Sequence, residues 1–300
     1  MEILLTGAQG FLGSILKDKL SLSHNLYSLS RNSSCYACDL SVDIPVFENI
    51  YFDLVIHAAG IAHIASNNHI ESNQFYNVNV LGTENLLKGL EKSGVPLMFV
   101  FISTVAVYGE SNGSLITESS ELKAVDPYGK SKLDAEKLVL DWCKEFNVLC
   151  TILRLPLVVA INPPGNLGSM IHGIKRGFYF NIGGGGAKKS MVLATDVAKY
   201  ILKSAEVGGI YNLTDGYHPS VFELSHHIAK LLKKKKPLNL PYWLAKTLAI
   251  FGDFFGSKAL INSVKLRKII SNLTFDDSKA RNTFGWDPTP VLKDNFISLK

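Results

Sequence analysis

The first half of the chain alternates short apolar runs with stretches of helical periodicity. The runs predicted to be strands are Glu2–Thr6, Leu26–Ser30, Leu54–His57, Met98–Ser103 and Cys150–Leu155. The stretches predicted to be helices are Gly10–Leu20, Phe75–Lys92 and Tyr128–Phe146. Near-continuous apolar strands separated by helices are typical of a parallel sheet covered on both faces. We therefore expect an α/β fold with a doubly wound parallel sheet.

The second half is less regular, and it predicts a smaller α/β region. Ile210–Leu213 is a further predicted strand, and helices are expected from Val221, Tyr242 and Ser257 onward. The pattern suggests one domain over residues 1–156 and a second over 157–300, with strands near 191–216 returning to the first. We expect the second region to bind mainly the substrate.

The first predicted strand runs directly into a glycine-rich turn, Gly7-Ala8-Gln9-Gly10-Phe11-Leu12-Gly13. Gly7 permits the tight turn, Gly10 lets backbone N–H groups approach a pyrophosphate, and Gly13 lets the helix pack closely on the sheet. The N-terminus of the following helix faces the phosphates. This pattern, placed between a strand and a helix, predicts a Rossmann-type dinucleotide site.

The end of the second strand bears on which dinucleotide binds. An acid there would bind the 2′-hydroxyl of NAD, whereas an arginine accepts the 2′-phosphate of NADP. This chain has Ser30-Arg31. Arg31 therefore favours NADP(H), and NAD(H) stays as the alternative.

Other residues fit the same cofactor crevice. Asp39 and Leu40 are expected near the adenine, and the small residues Ala58, Ala59 and Gly60 allow the cofactor to approach closely. Asn79 is interpreted either as a buried polar link to the active site or as an ordinary packing residue. His57 and His63 are candidate bases, although a satisfied histidine at a strand end is the favoured interpretation of His57.

Tyr128 and Lys132 are the candidate proton-transfer pair. Their i, i+4 spacing puts both on one face of a helix. The ordinary tyrosine pKa of about 10 is too high for exchange at neutral pH, so we expect the Lys132 ammonium and a positively charged nicotinamide to lower it. Tyr242 and Lys246 repeat this spacing, preceding proline included. Only Tyr128 follows a strand ending at Thr104, whose hydroxyl is expected to hold the substrate oxygen.

Composition and charge narrow the class of protein further. The chain is 47% hydrophobic and 19% charged, with a net charge of +5, so a sizeable core is expected. We interpret the run Lys233–Lys236 as a solvated helix end, with a nucleic-acid or lipid surface as the open alternative. The apolar segment Pro241–Gly256 is too short to span a bilayer, so we expect a cytoplasmic protein without an integral membrane segment. Cys35 and Cys38 lack the partners that a metal site needs.

The quoted motifs together resemble those of the extended short-chain dehydrogenase/reductases, the NAD(P)-dependent epimerase/dehydratase group that acts on nucleotide sugars. The matching segments are Thr6–Gly13, Asp39–Leu40, His57–Gly60, Asn79–Thr83, Ser103–Gly109, Pro127–Lys132 and Gly285–Pro288. The resemblance runs nearly end to end and implies a catalytic trio of Thr104, Tyr128 and Lys132. The cofactor positions that we expect are Gly7, Gly10, Phe11, Leu12, Gly13, Arg31, Asp39, Leu40, Ala58, Ala59, Gly60 and Lys132.

The resemblance also bears on the substrate. Thr104 and Tyr128 are expected to contact the sugar, and Asn166 resembles the family asparagine that binds a diphosphate, although a helix N-cap explains it equally well. The dehydratases of the family carry an acid pair after the catalytic threonine; here Val105-Ala106 stands there, which disfavours dehydration.

The leading hypothesis from the sequence is an NADPH-dependent reductase at C4 of a nucleotide-linked keto-hexose, with UDP as the expected nucleotide. A UDP-sugar 4-epimerase is the alternative, and a 3β-hydroxysteroid-type dehydrogenase with an apolar pocket along Leu244–Phe255 is a weaker one. No nucleic-acid partner is expected. The resemblance implies a homodimer formed partly by the Tyr128 helix, with Leu133, Leu138 and Val139 as candidate contacts.

Overall fold

The computed structural model describes residues 1–32, 35–48, 50–62, 70–256, 259 and 261–297. The strands are β1 (Glu2–Thr6), β2 (Asn25–Ser30), β3 (Tyr36–Ala37), β4 (Leu54–His57), β5 (Met98–Thr104), β6 (Gly113–Ile116), β7 (Leu149–Leu155), β8 (Leu157–Val159), β9 (Phe180–Ile182), β10 (Met191–Leu193), β11 (Gly209–Asn212), β12 (Leu238–Leu240) and β13 (Leu273–Phe275). The α-helices are α1 (Phe11–Leu20), α2 (Ile70–Phe75), α3 (Gly82–Ser93), α4 (Pro127–Glu145), α5 (Gly165–Arg176), α6 (Ala194–Ala205), α7 (Val221–Leu231), α8 (Tyr242–Asp253), α9 (Ser263–Ile270) and α10 (Ser278–Phe284).

Within the described residues, seven strands form one parallel sheet in the order β11-β7-β5-β4-β1-β2-β3. The chain leaves β1 in one direction through β2 and returns on the other side through β4, so the strand order reverses between β1 and β4. Ligands of open α/β sheets bind outside the strand C-termini at such a switch point. The expected doubly wound fold is confirmed, and its ligand crevice lies where β1 and β4 end.

The sheet is covered by apolar side chains on both faces. One face packs under α1 and α6 around Leu16, Val197 and Trp286, and the other packs under α3 and α4 around Leu86 and Val139. Because both faces of the sheet are buried, the central strands are apolar along their whole length and do not alternate between apolar and polar residues.

The second half adds a smaller region with its own core. Strand β8 pairs with β10, β9 with β12, and β6 with β13, each as a separate two-stranded sheet. Of the strands predicted to return to the main sheet, β11 lies at its edge beside β7, whereas β10 pairs with β8.

Two predicted helices differ from what is observed. The stretch Phe75–Lys92 was expected to be one regular helix, but its turn Tyr76–Leu81 is π-helical, between α2 and α3. Such turns often occur at functional sites, and this one carries Asn79. The last predicted helix was expected from Ser257, which lies outside the described residues; α9 begins at Ser263, where Asn262 caps it.

Candidate active site

The glycine loop between β1 and α1 has the conformation that its sequence predicts. Gly7 has a φ of +70°, and a Cβ there would stand 2.7 Å from the backbone nitrogen of Ala59. A Cβ on Gly13 would stand 1.9 Å from the carbonyl oxygen of Gly7. Any larger residue would therefore push α1 off the loop and the loop off the end of β4.

The N-terminus of α1 is open for an anion. Gly10 occupies the N-cap position without a side-chain cap, and the first turn holds no acidic residue. The first-turn N–H groups of a helix, here including those of Phe11 and Leu12, have no acceptor within the helix. Together with the helix dipole, they suit the pyrophosphate of a dinucleotide.

A buried hydrogen-bond relay joins this loop to the end of β4. The Thr6 hydroxyl accepts from the Ala59 N–H at 3.0 Å and contacts His57 Nδ1 at 2.7 Å. Thr83 donates to the carbonyl oxygen of Asn79, so its hydroxyl is left to accept from His57 Nε2 at 2.9 Å. His57 then has its proton on Nε2, and Thr6 donates to Nδ1.

His57 is therefore a structural group. Burial, with a smaller contribution from the charge of Lys132, lowers its pKa to about 3. The imidazole is neutral, and both of its nitrogens are hydrogen-bonded. It therefore holds Ala59 and Asn79 in place and has no free nitrogen to act as a base. The second candidate base, His63, lies outside the described residues.

Asn79 continues the relay to the helix that carries Tyr128. Its side chain accepts from the Ile61 N–H at 2.9 Å and donates to the Ile61 carbonyl at 3.1 Å. It also donates to the Ser131 hydroxyl at 2.9 Å, and Ser131 donates to the carbonyl oxygen of Tyr128 at 2.8 Å. Of the two interpretations of Asn79, the structure favours a buried polar link.

Helix α4 begins where its sequence predicts. Asp126 is the N-cap and accepts from the Gly129 N–H at 3.0 Å, and Pro127 occupies the first turn. Both are favourable at these positions. Tyr128 consequently lies in the first turn, where the positive end of the helix dipole favours a phenolate.

The expected lowering of the Tyr128 pKa by Lys132 is not observed. The pKa of Tyr128 is raised, with burial the largest cause, and a hydrogen bond with the Thr104 hydroxyl only partly opposes the rise. Desolvation disfavours the anion more strongly than the local groups favour it. The phenol therefore holds its proton in this state of the protein.

Lys132, like His57 and Tyr128, is shifted toward its neutral form. Its side chain is only 5% exposed, and burial lowers its pKa to about 7. The amine lies 4.0 Å from the ring centre of Phe101, and a Cβ on Gly60 would stand 3.9 Å from it. It is thus held between the central strand β5 and the small residues that follow β4.

A buried ion pair anchors α4 to the sheet one turn after Lys132. Glu136 accepts from Arg154 at 2.7 and 3.1 Å, and it also accepts from the Ser103 hydroxyl. Both charged residues are almost completely buried. Arg154 continues to the Tyr108 hydroxyl at 3.1 Å, which donates to Asn212 at 2.7 Å.

This anchor was not predicted from the sequence. Two signals would have indicated it: Glu136 lies at i+4 from Lys132 on the buried helix face, and Arg154 interrupts the apolar strand β7. Buried charges of opposite sign on adjacent elements are expected to pair.

Arg31, Asp39 and Leu40 are the residues expected on the adenosine side of the crevice. Arg31 is exposed directly after β2, and Ser30 before it has a buried hydroxyl without a hydrogen-bond partner in the described part of the chain. Asp39 accepts from the N–H and the hydroxyl of Ser41. Leu40 is buried against Gly82. The exposed cation of Arg31 fits a ribose phosphate at this end, as the N-terminus of α1 fits the pyrophosphate.

Four other predicted positions are either exposed or buried in the core. Asn166 is exposed in the first turn of α5, where Pro164 rather than Asn166 is the N-cap. Tyr242 opens α8 and is about half exposed. Leu133 and Val139 are buried in the chain's own core, so neither supports the homodimer, which stays a prediction.

The arrangement as a whole brings a glycine loop of the phosphate-binding type and the candidate proton-transfer pair, Tyr128 and Lys132, to one switch point. That is the site of a dinucleotide-dependent oxidoreductase with a Rossmann-type fold. The family model described as NAD dependent epimerase/dehydratase matches residues 3–214. The chain belongs to this family.

Several relatives match nearly the whole chain. The N-acetyl-α-D-glucosaminyl-diphospho-ditrans,octacis-undecaprenol 4-epimerase of Escherichia coli O157:H7 is 27% identical over 94% of this chain and 89% of its own length. The UDP-glucose 4-epimerase of Vibrio cholerae is 28% identical over 98% and 93%. The crystal structure of the Thermotoga maritima UDP-glucose 4-epimerase with UDP-glucose has a TM-score of 0.76 at 21% identity, covering 99% of this chain and 96% of that one. The last likeness shows a shared fold.

In the described ranges, no helix is both long and apolar enough to cross a bilayer.

Proposed function

We propose that the protein is a 4-epimerase of a sugar joined to a diphosphate, using a nicotinamide dinucleotide. The observation that carries the proposal is the placement of Lys132, one helical turn after Tyr128, beside Gly60 in the segment after β4 that Gly7 also contacts. Two relatives matched over more than nine tenths of this chain are both named 4-epimerases. The residues after Thr104, Val105 and Ala106, form a short helical turn without an acid or base, which argues against dehydration.

The chain's own residues would handle the proton and the alignment of the sugar. When bound, the dinucleotide supplies the hydride chemistry at C4. Tyr128 would move a proton to and from the C4 oxygen, and Thr104 would hold that oxygen within reach. Lys132 would bind the nicotinamide ribose and, when charged, favour the phenolate. The same groups serve both faces of the sugar if the keto intermediate turns between the two half-reactions.

Cofactor stoichiometry tests the proposal. Purified protein would be incubated with UDP-N-acetylglucosamine or UDP-glucose, and both sugar epimers and the nicotinamide absorbance would be followed. An epimerase forms the C4 epimer without net change in the dinucleotide. Consumption of one reduced cofactor per keto sugar converted would contradict it.

That second outcome defines the alternative, an NADPH-dependent reductase of a 4-keto sugar. Arg31 favours it, because an exposed arginine directly after β2 suits the 2′-phosphate of NADP. Arg31→Asp should then weaken NADPH binding by about tenfold or more and leave NADH binding within a few-fold. Equal losses for both cofactors would show that Arg31 does not read the phosphate.

The group beyond the diphosphate is a separate question. The E. coli relative is named for a polyprenyl-linked substrate and the Vibrio relative for a nucleotide sugar. Asn166, exposed at the start of α5, is proposed to contact the diphosphate in either case. Its replacement by Ala should raise KM more than it lowers kcat, and assays on both substrate classes would decide between them.

A further inference from the structure

Helix α8 has an unusual distribution of side-chain sizes. The residues that pack inward are small: Ala245 and Ala249 are fully buried, and a Cβ on Gly252 would stand 1.9 Å from the carbonyl oxygen of Ile261. These positions are spaced i, i+4 and i+7, so they form one stripe of the helix. Close contact with α9 is built from alanine and glycine.

The large apolar residues of α8 face the other way. Trp243 is 68% exposed, and Ile250, Phe251 and Phe254 are also exposed, with Phe254 at 85%. Their spacing of i, i+7, i+8 and i+11 places them opposite the alanine stripe. A helix that is apolar on nearly every side is normally buried, yet this chain covers only the small-residue side.

The exposed apolar surface extends beyond the helix. Phe255, which follows α8, is exposed, as is Val264 on the neighbouring α9. We define the α8 surface as Trp243, Leu248, Ile250, Phe251, Phe254, Phe255 and Val264. A contiguous exposed surface of this kind marks an interaction site rather than scattered apolar residues.

The charge around the α8 surface is strongly positive. Residues 230–270 contain ten of the 31 basic residues and one of the 26 acidic residues of the chain. The remainder therefore has 21 basic and 25 acidic residues and is net negative. Lys233–Lys236 lie just before β12, and Lys246 lies on α8 itself; all are exposed. The single acid, Asp253, is bonded to Ser263.

We propose that the α8 surface docks onto a bilayer that contains anionic lipid, with the aromatic side chains in the interface and the lysines at the headgroups. Amphipathic elements with aromatic residues and flanking lysines bind membrane interfaces in this way. Twelve residues give α8 a length of about 18 Å, short of the roughly 30 Å hydrocarbon core. The helix therefore lies in the interface rather than spanning it.

Charge argues for a bilayer over a second copy of the chain. A twofold interface places the same patch of both subunits together. Two α8 surfaces would bring two strongly basic segments into contact, which is unfavourable. Anionic headgroups instead neutralise them.

The docking does not depend on the reaction proposed above, although it agrees with a lipid-linked substrate. Helix α8 and its partner strand β12 belong to the region expected to bind the substrate, and Gly183 after β9 lies beside Tyr242. A bilayer at α8 would thus face the substrate side of the molecule.

Tryptophan fluorescence of the full chain tests the docking directly. The chain has three tryptophans, of which Trp142 and Trp286 are buried, so a lipid-induced change in emission reports on Trp243. With phosphatidylcholine vesicles containing about one third phosphatidylglycerol, we expect a blue shift and quenching by brominated lipid chains. Pure phosphatidylcholine vesicles should give a much weaker response, and added salt should reduce binding.

Two variants separate the apolar and charged contributions in vesicle co-sedimentation. Phe251→Ser/Phe254→Ser/Phe255→Ser should lower binding at least about tenfold, and Lys234→Gln/Lys235→Gln/Lys236→Gln should remove most of the preference for anionic lipid. The matched controls are Leu22→Ser/Leu97→Ser and Lys17→Gln/Lys19→Gln/Lys144→Gln, exposed residues elsewhere. Both control variants should bind anionic vesicles as strongly as the unchanged protein does.

Three results would overturn the proposal. The unchanged protein would fail to bind anionic vesicles, or the triple serine variant would bind them equally well. In the third, vesicle binding would be absent, and light scattering would show an oligomer that the triple serine variant does not form. That result would identify a second copy of the chain as the occupant of the α8 surface. None of these measurements uses a sugar substrate, so epimerase activity and docking can fail independently.

Discussion

The chain contains the same short pattern, proline, tyrosine and a lysine four residues later, in two places. Pro127-Tyr128 to Lys132 opens α4, and Pro241-Tyr242 to Lys246 opens α8. Helical geometry puts the tyrosine and lysine on one face in both. The first pair lies beside the cofactor crevice, and the second lies on the surface.

The surroundings of the two patterns account for this difference. Tyr128 follows the C-terminal end of the central strand β5, and Lys132 is buried against Phe101 of that strand. Tyr242 follows β12, which pairs with β9 in a two-stranded sheet separate from the main one. The spacing determines which side chains share a face, and the neighbouring strand determines what that face meets.

The position one turn further on sharpens the contrast. After Lys132 it is Glu136, almost completely buried and paired with Arg154. After Lys246 it is Ile250, which is exposed on the α8 surface. An ion pair attaches α4 to the sheet, whereas α8 has an exposed apolar side. We propose that the first pattern serves proton transfer and that the second belongs to a docking surface.

The largest expected effect is on turnover. Tyr128→Phe should lower kcat by about a thousandfold, because proton transfer by a positioned group contributes on the order of 10²–10⁴. Cofactor affinity, measured by fluorescence titration, should stay within a few-fold. The matched change Tyr242→Phe should leave kcat within about twofold. Similar losses from both substitutions would remove the distinction between the two patterns.

The ion pair gives the next largest effect, on stability. Glu136→Gln leaves the buried Arg154 charge without its counter-ion, and loss of one partner of such a pair costs about 3–5 kcal/mol. Denaturant unfolding would measure this change in the free energy of unfolding. Glu84→Gln, which breaks the exposed pair with Lys88, is the control and should cost under about 1 kcal/mol. Equal costs would mean that Glu136 does not anchor α4.

The third effect concerns the pH dependence of stability. The pKa of Lys132 is lowered from 10.5 to about 7 on folding, so between these pH values the unfolded chain binds more protons. The contribution of Lys132 to the free energy of unfolding is lowest below pH 7. It rises between pH 7 and pH 10.5 by at most about 1.4 kcal/mol per pH unit.

Lys132→Met should consequently unfold at higher denaturant concentration than the unchanged protein at pH 6, and this advantage should shrink by pH 9.5. Lys246→Met is the control, since Lys246 is exposed, and its difference should stay within about 0.5 kcal/mol at both values. A constant advantage for Lys132→Met would show that burial does not shift the pKa of Lys132.

The local pattern and spacing of residues were sufficient to predict much of the fold. Strands β1 and β4 begin and end where the apolar runs predict, and α1, α4 and α7 begin within one residue of their predicted starts. These elements carry strong local signals: buried strands are apolar throughout, and caps such as Asp126 and Ser220 mark helix starts. The glycine loop follows because its conformation depends on its own residues and the next strand.

The parts that sequence reasoning missed depend on contacts between distant residues. The relay from Thr6 through His57 to Asn79, the Glu136–Arg154 pair and the raised pKa of Tyr128 all require knowing which side chains are buried together. Burial sets both the cost of a charge and the partner available to it, and neither can be read from spacing.

By itself, the sequence determined the phosphate loop, the order of strands and helices, and the pairing of a tyrosine with a lysine on a helix face, because each depends on neighbours a few residues apart. Only the tertiary structure decided that burial raises the pKa of Tyr128, and that α8 turns its alanines inward and its aromatic residues out. Those outcomes depend on what packs against each face, which is a property of the whole fold.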